Sequence, residues 1–383
     1  MTEITRYAIV ADNLFDGTSV HENAAALIDG TRITHVLPAA KVSKDVPVIE
    51  LARDAWLAPG FIDLQVNGGG GVLFNDDPSP AGIRTILAAH RKFGTTAMLP
   101  TLISDTEEKM RLASRAVGEA MQSEPGILGI HYEGPFLSPE RPGVHDLAMI
   151  RAAGARDIDT LTALRRGVTL VTLAPECVAA GFISALRAQG VCVSLGHSNA
   201  TYAQTLAAMA EGLACFTHLF NAMPPPSARE PGPIVAALES EAAFYTLIVD
   251  GVHVAAPMLQ LALRGKGQPI LITDAMPPVG GAMTSFRLYG GEITVSNGRC
   301  TRKDGTLAGA VLDMASAVRN CVQLLGVPLP RALSFASAAP ADLLGLGEQF
   351  GRIAPGYRAD LVAFHPSDIR ILGTWVAGRN GER

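Results

Sequence analysis

The chain has 383 residues, of which 48% are hydrophobic and 17% charged, with a formal net charge of −5. Such a composition can bury a large core and excludes a disordered polymer. The mildly acidic balance gives no footprint for nucleic acid or an anionic membrane as partner.

In chain order, residues 1–57 read as short alternating segments (Ala8–Val10, Ala25–Ile28, Thr34–Val36) broken by the turns Asp16-Gly17 and Asp29-Gly30, a strand-and-hairpin pattern. Residues 350–383 return to that style in Ala359–Phe364 and Ile369–Val376, so a small β-sandwich domain built from both termini is expected. Between them, residues 58–349 alternate apolar runs with amphipathic helical spacing. The runs are Phe61–Val66, Thr96–Thr101, Ile127–Glu133, Val168–Pro175, Val191–His197, Leu213–Leu219, Phe244–Gly251 and Pro269–Ala275. Helices are expected over Ala81–Phe93, Val178–Gln189 and Thr201–Gly212. Repeated β-then-α units make this an α/β chain whose central part is a (β/α)8 TIM-like barrel. A doubly wound sheet is the competing reading, but the glycines at 68–71 lack dinucleotide spacing. Phe286–Val295 and Gly298–Cys300 read as an inserted hairpin after the eighth run. The N-terminus shows no leader pattern, and no run reaches the ~18 apolar residues of a membrane span. Five scattered cysteines (Cys177, Cys192, Cys215, Cys300, Cys321) without a CxxC pair suit reduced thiols, so a cytoplasmic protein is expected.

Barrel chemistry sits where strands end, and several runs end on a histidine or a carboxylate. Glu133, His197 and His218 supply one carboxylate and two imidazoles from separate segments, a donor set suited to zinc with one position left over. Each histidine taken singly is equally a hydrogen-bonded core residue. His131 shares a strand face with Glu133 by period two and is expected behind the ligands. Asp274 ends an otherwise apolar run, where it serves either as a proton shuttle or as a helix N-cap. His145 follows a Pro- and Gly-rich loop and could polarise a carbonyl, or lie idle on the surface. Arg229, in a proline-rich loop, is either an anion clamp or a solvated arginine. Ser198 beside His197 lacks a GxSxG elbow, so a serine hydrolase is disfavoured.

At these residues the chain resembles the N-acetylglucosamine-6-phosphate deacetylases of the amidohydrolase superfamily. The strings carrying the resemblance are PGFIDLQVNGGGG (59–71), HYEGPFLSPERPGVHD (131–146), SLGHSNATY (194–202), THLFNAMPP (217–225), REPGP (229–233), VDGVHV (249–254), ITDAM (272–276) and GRIAPGYRADLVAF (351–364). The resemblance implies that Glu133, His197 and His218 bind the metal, that Asp274 is the catalytic carboxylate, and that His145 contacts the acetyl carbonyl. It further implies that Asn221 and Ala222 hold the sugar phosphate through the backbone. Arg229 and His253 would bind the phosphate, in this family often from the neighbouring subunit of a homodimer. Val144 and Leu307-Ala308-Gly309 are implied as substrate-lining.

One departure stands out. Where many superfamily members carry His-x-His for a second metal, this chain has Gln65 and Asn67, and neutral amides are poor zinc ligands. One divalent ion per subunit, zinc before other transition metals, is therefore expected, with Gln65 reaching it through water. The implied reaction is hydrolysis of N-acetyl-D-glucosamine 6-phosphate to D-glucosamine 6-phosphate and acetate. Two alternatives stay open: a different N-acyl amino-sugar phosphate such as the galacto epimer, and an idle sugar-phosphate-binding barrel.

Overall fold

The computed structural model describes residues 6–381; the outermost residues of the expected terminal domain, 1–5 and 382–383, lie outside that description. By packing, the chain divides into two compact units: Met1–Asp63 with His90–Ala97 and Met314–Arg383, and Leu64–Ala89 with Met98–Asp313.

In the first unit, strands from both ends of the chain join one sheet. Its path runs Arg379–Asn380, Arg370–Val376, Leu361–His365, Trp56–Pro59, Arg6–Phe15, Val20–Asp29, Arg32–Pro38, with Val48–Glu50 added beside Arg6–Phe15. The alternation along Arg6–Phe15 sorts its side chains onto two faces. Tyr7, Ile9 and Ala11 join Leu361, Ala363 and Trp375 on one face, while Ala8 meets Ala25, Leu27 and Val46 on the other.

The other large sheet is the barrel. Its eight strands follow chain order: Phe61–Val66, Thr95–Ile103, Gly129–Glu133, Val168–Leu173, Cys192–Leu195, Cys215–Phe216, Phe244–Ile248 and Gln268–Ile272. Every registered pair from Thr95–Ile103 onward is parallel, and a parallel bridge from Val66 to Ala275 ties the last strand back to the first. Parallel strands buried on both faces read as continuous apolar runs, which is why the eight segments are legible in the sequence. The helices between them are capped as their sequences dictate. Thr106 accepts from the Lys109 amide at the start of Glu107–Ala120, with two glutamates in the first turn. Thr201 and Gln204 form a capping box that starts Tyr202–Ala210.

The expected inserted hairpin is larger than its sequence suggests. It is a four-stranded antiparallel sheet of Ser285–Leu288, Gly291–Ser296, Arg299–Thr301 and Leu307–Ala310. The cluster around it takes in Ile103 and Met276, both of which line the cavity described next.

Candidate active site

All the barrel strands run the same way, so the residues that follow them gather at one rim. Glu133 is the last residue of its strand, whereas His197, His218 and Asp274 each stand two residues past theirs. Those three have φ of 48°, 33° and 51°, in the left-handed region that non-glycine residues rarely occupy. The strands expected to run through these residues therefore stop short of them. The backbone reverses hand there, a kind of strain that clusters at functional sites. Local packing holds it: Thr246 Oγ1 accepts from His218 N at 2.6 Å, and Leu195 O accepts from Thr217 N at 2.8 Å. Gly196 is required beside His197, because a Cβ there would lie 2.6 Å from Thr172 Cγ2.

Glu133, His197 and His218 are all buried and converge on a point. Glu133 Oε1 lies 2.9 Å from His218 Nε2 and 3.2 Å from His197 Nε2, and the two Nε2 atoms are 3.2 Å apart. His197 Nδ1 donates to the Arg141 carbonyl at 2.9 Å. A carbonyl only accepts, so the neutral His197 ring presents a lone pair at Nε2, facing a carboxylate oxygen and a second imidazole nitrogen. Three electron-rich atoms packed this closely need a cation among them. Ligand bonds of about 2.0–2.1 Å in a tetrahedral zinc site put neighbouring donors ~3.3 Å apart, close to the spacing observed.

Asp274 faces the same cavity, of about 230 Å³. Burial first, and then the negative charge of Glu133, raise its pKa to about 6. Its Oδ1 accepts hydrogen bonds from Asn67 Nδ2 at 2.7 Å and Gln65 Nε2 at 3.1 Å. The pair read from sequence as a lost metal site is thus a clamp on the acid, and Gln65, expected to reach an ion through water, donates to Asp274.

His145 is buried, with Nε2 3.9 Å from Glu133 Oε2. The Ser104 backbone N–H donates to its Nδ1 at 3.3 Å, with Ser104 Oγ 2.8 Å from the same nitrogen. Because Nδ1 accepts, the neutral ring carries its proton on Nε2. Burial, then the neighbouring His197, push the His145 pKa down to about 3, so the ring is a neutral donor at pH 7.

Val144, Asn221, Ala222, His253, Leu307 and Gly309 line the same cavity. His253 is fixed by a 2.6 Å contact from Nδ1 to Asp250 Oδ2. Gly309 has φ 62° and admits no side chain, since a Cβ would come within 2.5 Å of Met276 Cγ and 2.9 Å of the Asp274 carbonyl. Ala308 is buried in the cluster of the inserted sheet and is not among the residues lining the cavity. Arg229 is exposed and also outside the lining. His131 sits below the site in a chain of hydroxyls, 3.1 Å from Thr101 Oγ1 and 2.8 Å from Thr172 Oγ1, with burial lowering its pKa to about 4. Sequence reading assigned no role to Ser104, Met276 or Thr306. Met276 closes the ITDAM string and lines the cavity, whereas Thr306, also in the lining, and Ser104, which touches His145, belong to no motif and are brought there by the tertiary fold.

The amidohydrolase family model matches residues 56–381. The chain belongs to the amidohydrolase family. It is 43% identical over 345 residues to the N-acetylgalactosamine-6-phosphate deacetylase of Shewanella sp. (strain ANA-3), covering 89% of this chain and 86% of that one. It is 34% identical over 380 residues to the N-acetylglucosamine-6-phosphate deacetylase of Haemophilus influenzae, covering 98% and 99% of the two chains. The crystal structure of N-acetylglucosamine-6-phosphate deacetylase from Pasteurella multocida superposes with a TM-score of 0.95 at 36% identity, over 99% of this chain and 100% of that one. The amidohydrolase family is metal-dependent, and Glu133, His197 and His218 form a group that could hold an ion in this barrel. No helix among the described residues is long and apolar enough to cross a membrane.

Proposed function

We propose that this amidohydrolase deacetylates N-acetyl-D-glucosamine 6-phosphate, releasing D-glucosamine 6-phosphate and acetate. The observation that carries the reading is Asp274, a half-buried acid with a raised pKa, in one cavity with the convergent donors Glu133, His197 and His218. An idle binding barrel would have no use for that pairing of acid and donor set.

Glu133, His197 and His218 would hold one divalent ion, zinc by the character of the donors, and the ion supplies Lewis acidity that polarises a carbonyl and acidifies water. Asp274 Oδ2 takes the proton of the attacking water and returns it to the departing nitrogen, while Oδ1 stays engaged with Asn67 and Gln65. His145 donates its Nε2 proton to the oxygen of the acetyl group as negative charge builds there. The backbone at Asn221 and Ala222, with His253, is assigned to the sugar phosphate, and Val144, Leu307 and Gly309 to the walls around the substrate. Arg229 stands exposed outside the cavity of its own chain, which suits a role in the phosphate site of a second subunit, and we assign a homodimer on that basis. Five free cysteines suit work in the cytoplasm.

A second reading, the galacto epimer as substrate, is favoured by the 43% identity to the Shewanella enzyme. Acetate release from the two N-acetylhexosamine 6-phosphates, compared by kcat/KM with and without a chelator, tests both. The proposal expects chelator-sensitive turnover with the gluco substrate preferred. A galacto preference overturns the epimer assignment, and absence of turnover on either overturns the deacetylase reading.

A further inference from the structure

The inserted four-stranded sheet does more than wall the cavity, because it is bonded to the segment that carries Asp274 and to both segments that meet at His145. Ala310 N donates to the Asp274 carbonyl at 2.9 Å, and Met276 N donates to Ala310 O at 3.0 Å. From the same sheet, Tyr289 Oη donates to the Ser104 carbonyl at 2.5 Å. Arg302 Nη2, just past its third strand, donates to the Val144 carbonyl at 2.6 Å. Ser104 is the residue whose N–H sets the His145 tautomer, and Val144 directly precedes His145 in the chain. Both bonds thus end one step from the same imidazole. Tyr289 is held at φ 50°, a conformation tyrosine rarely adopts. Tyr289 and Gly290 (φ 76°) are the two central residues of the hairpin turn between Ser285–Leu288 and Gly291–Ser296, which requires positive φ at both, so the turn sets the backbone from which the ring reaches Ser104.

We infer that Tyr289 and Arg302 are positioning residues that clamp His145 against the cavity, so that its Nε2–H points at the reacting carbonyl. This rests on the deacetylase reading for its consequence, but the clamp is a statement about the chain alone. An oxyanion donor acts only when it is already in place as charge develops. Loss of either bond therefore lowers kcat while leaving KM nearly unchanged.

The experiment compares Tyr289→Phe, Arg302→Ala and Arg302→Lys with the exposed Arg299→Ala as control, by steady-state kinetics and by amide hydrogen exchange over residues 143–147. The expected result is a fall in kcat of about 10- to 100-fold for Tyr289→Phe and Arg302→Ala, the range usual for lost supporting partners. Arg302→Lys should recover part of it, and Arg299→Ala should match the parent. Adding Tyr289→Phe to His145→Ala should cost nothing more, since the clamp would have nothing left to aim. Exchange over 143–147 should speed up in both clamp variants with zinc content unchanged. Unaltered exchange, or a full further loss in the His145→Ala background, overturns the inference. Exchange reads the clamp even where neither sugar phosphate is turned over, so failure of the deacetylase reading is told apart from failure of this one.

Discussion

Asn67 donates its side-chain amide to Asp274 Oδ1 at 2.7 Å, and this one bond ties the end of the first barrel strand to the carboxylate that follows the last. Such a bond favours the ionised acid, opposing the burial and the Glu133 charge that raise the Asp274 pKa to about 6. With Asp274 as the proposed base, activity is expected above its pKa and lost as pH falls through it. Asn67→Ala removes a donor to the charged form and moves the acidic limb of kcat/KM to higher pH. A hydrogen bond to a charged group contributes about 1.5–3 kcal/mol, so the shift is roughly one pH unit or more. Profiles of the two proteins side by side check this; coincident limbs would remove Asn67 from the proton path.

Asp274→Asn keeps the shape of the site but cannot accept a proton. We predict a loss in kcat of about 10²–10⁴-fold, the usual contribution of a general acid–base group, with metal content by elemental analysis unchanged. His145→Ala, which removes one oxyanion donor, loses about 10²–10³-fold and stays measurable. An Asp274→Asn variant with near-parental turnover would end the shuttle assignment.

Arg229→Ala is expected to raise KM for the phosphorylated sugar at least ~10-fold, since a charge-assisted bond to phosphate is lost, with little change toward the unphosphorylated N-acetyl sugar. Equal losses on the two substrates, measured in parallel, would take Arg229 out of phosphate recognition.

Away from the site, Arg151 Nη2 lies 2.5 Å from Asp157 Oδ1 and Nη1 lies 2.8 Å from Oδ2, which also accepts from Gly154 N at 2.7 Å. Burial works against the Asp157 charge, but these partners outweigh it and hold the carboxyl below its ordinary value. A depressed carboxylate pKa contributes stability that is complete above the unfolded pKa of ~3.9 and fades as pH falls through the folded value. Asp157→Asn should therefore cost about 1 kcal/mol between pH 5 and 7, and the gap in melting temperature should close toward pH 3. A gap constant across that range would show that charge plays no part.

The barrel was legible because parallel strands buried on both faces leave uninterrupted apolar runs. Phe61–Val66 begins and ends where the sequence placed it. The runs that end in chemistry were read too long. The Val191–His197 run contains a strand of only Cys192–Leu195, because His197 must take a left-handed turn to aim inward. Periodicity carries no signal for that reversal. Among site residues, those in motifs were found, and Glu133, His197, His218, His145 and Asp274 do face one cavity. What escaped were the contacts made by residues outside the expected ligand set. Gln65 and Asn67 were read by what they lack as ligands, while their contacts with Asp274 depend on barrel closure between Val66 and Ala275. Tyr289 and Arg302 lie in an insert whose turns predict a hairpin but not what it leans on.

The most direct test of the account is to strip the protein of metal and follow turnover of N-acetyl-D-glucosamine 6-phosphate as zinc is returned. With Glu133, His197 and His218 as the single ligand set, activity should rise in proportion to added zinc and break sharply at one ion per chain. A break at two ions, or full activity before any zinc is added, would contradict it.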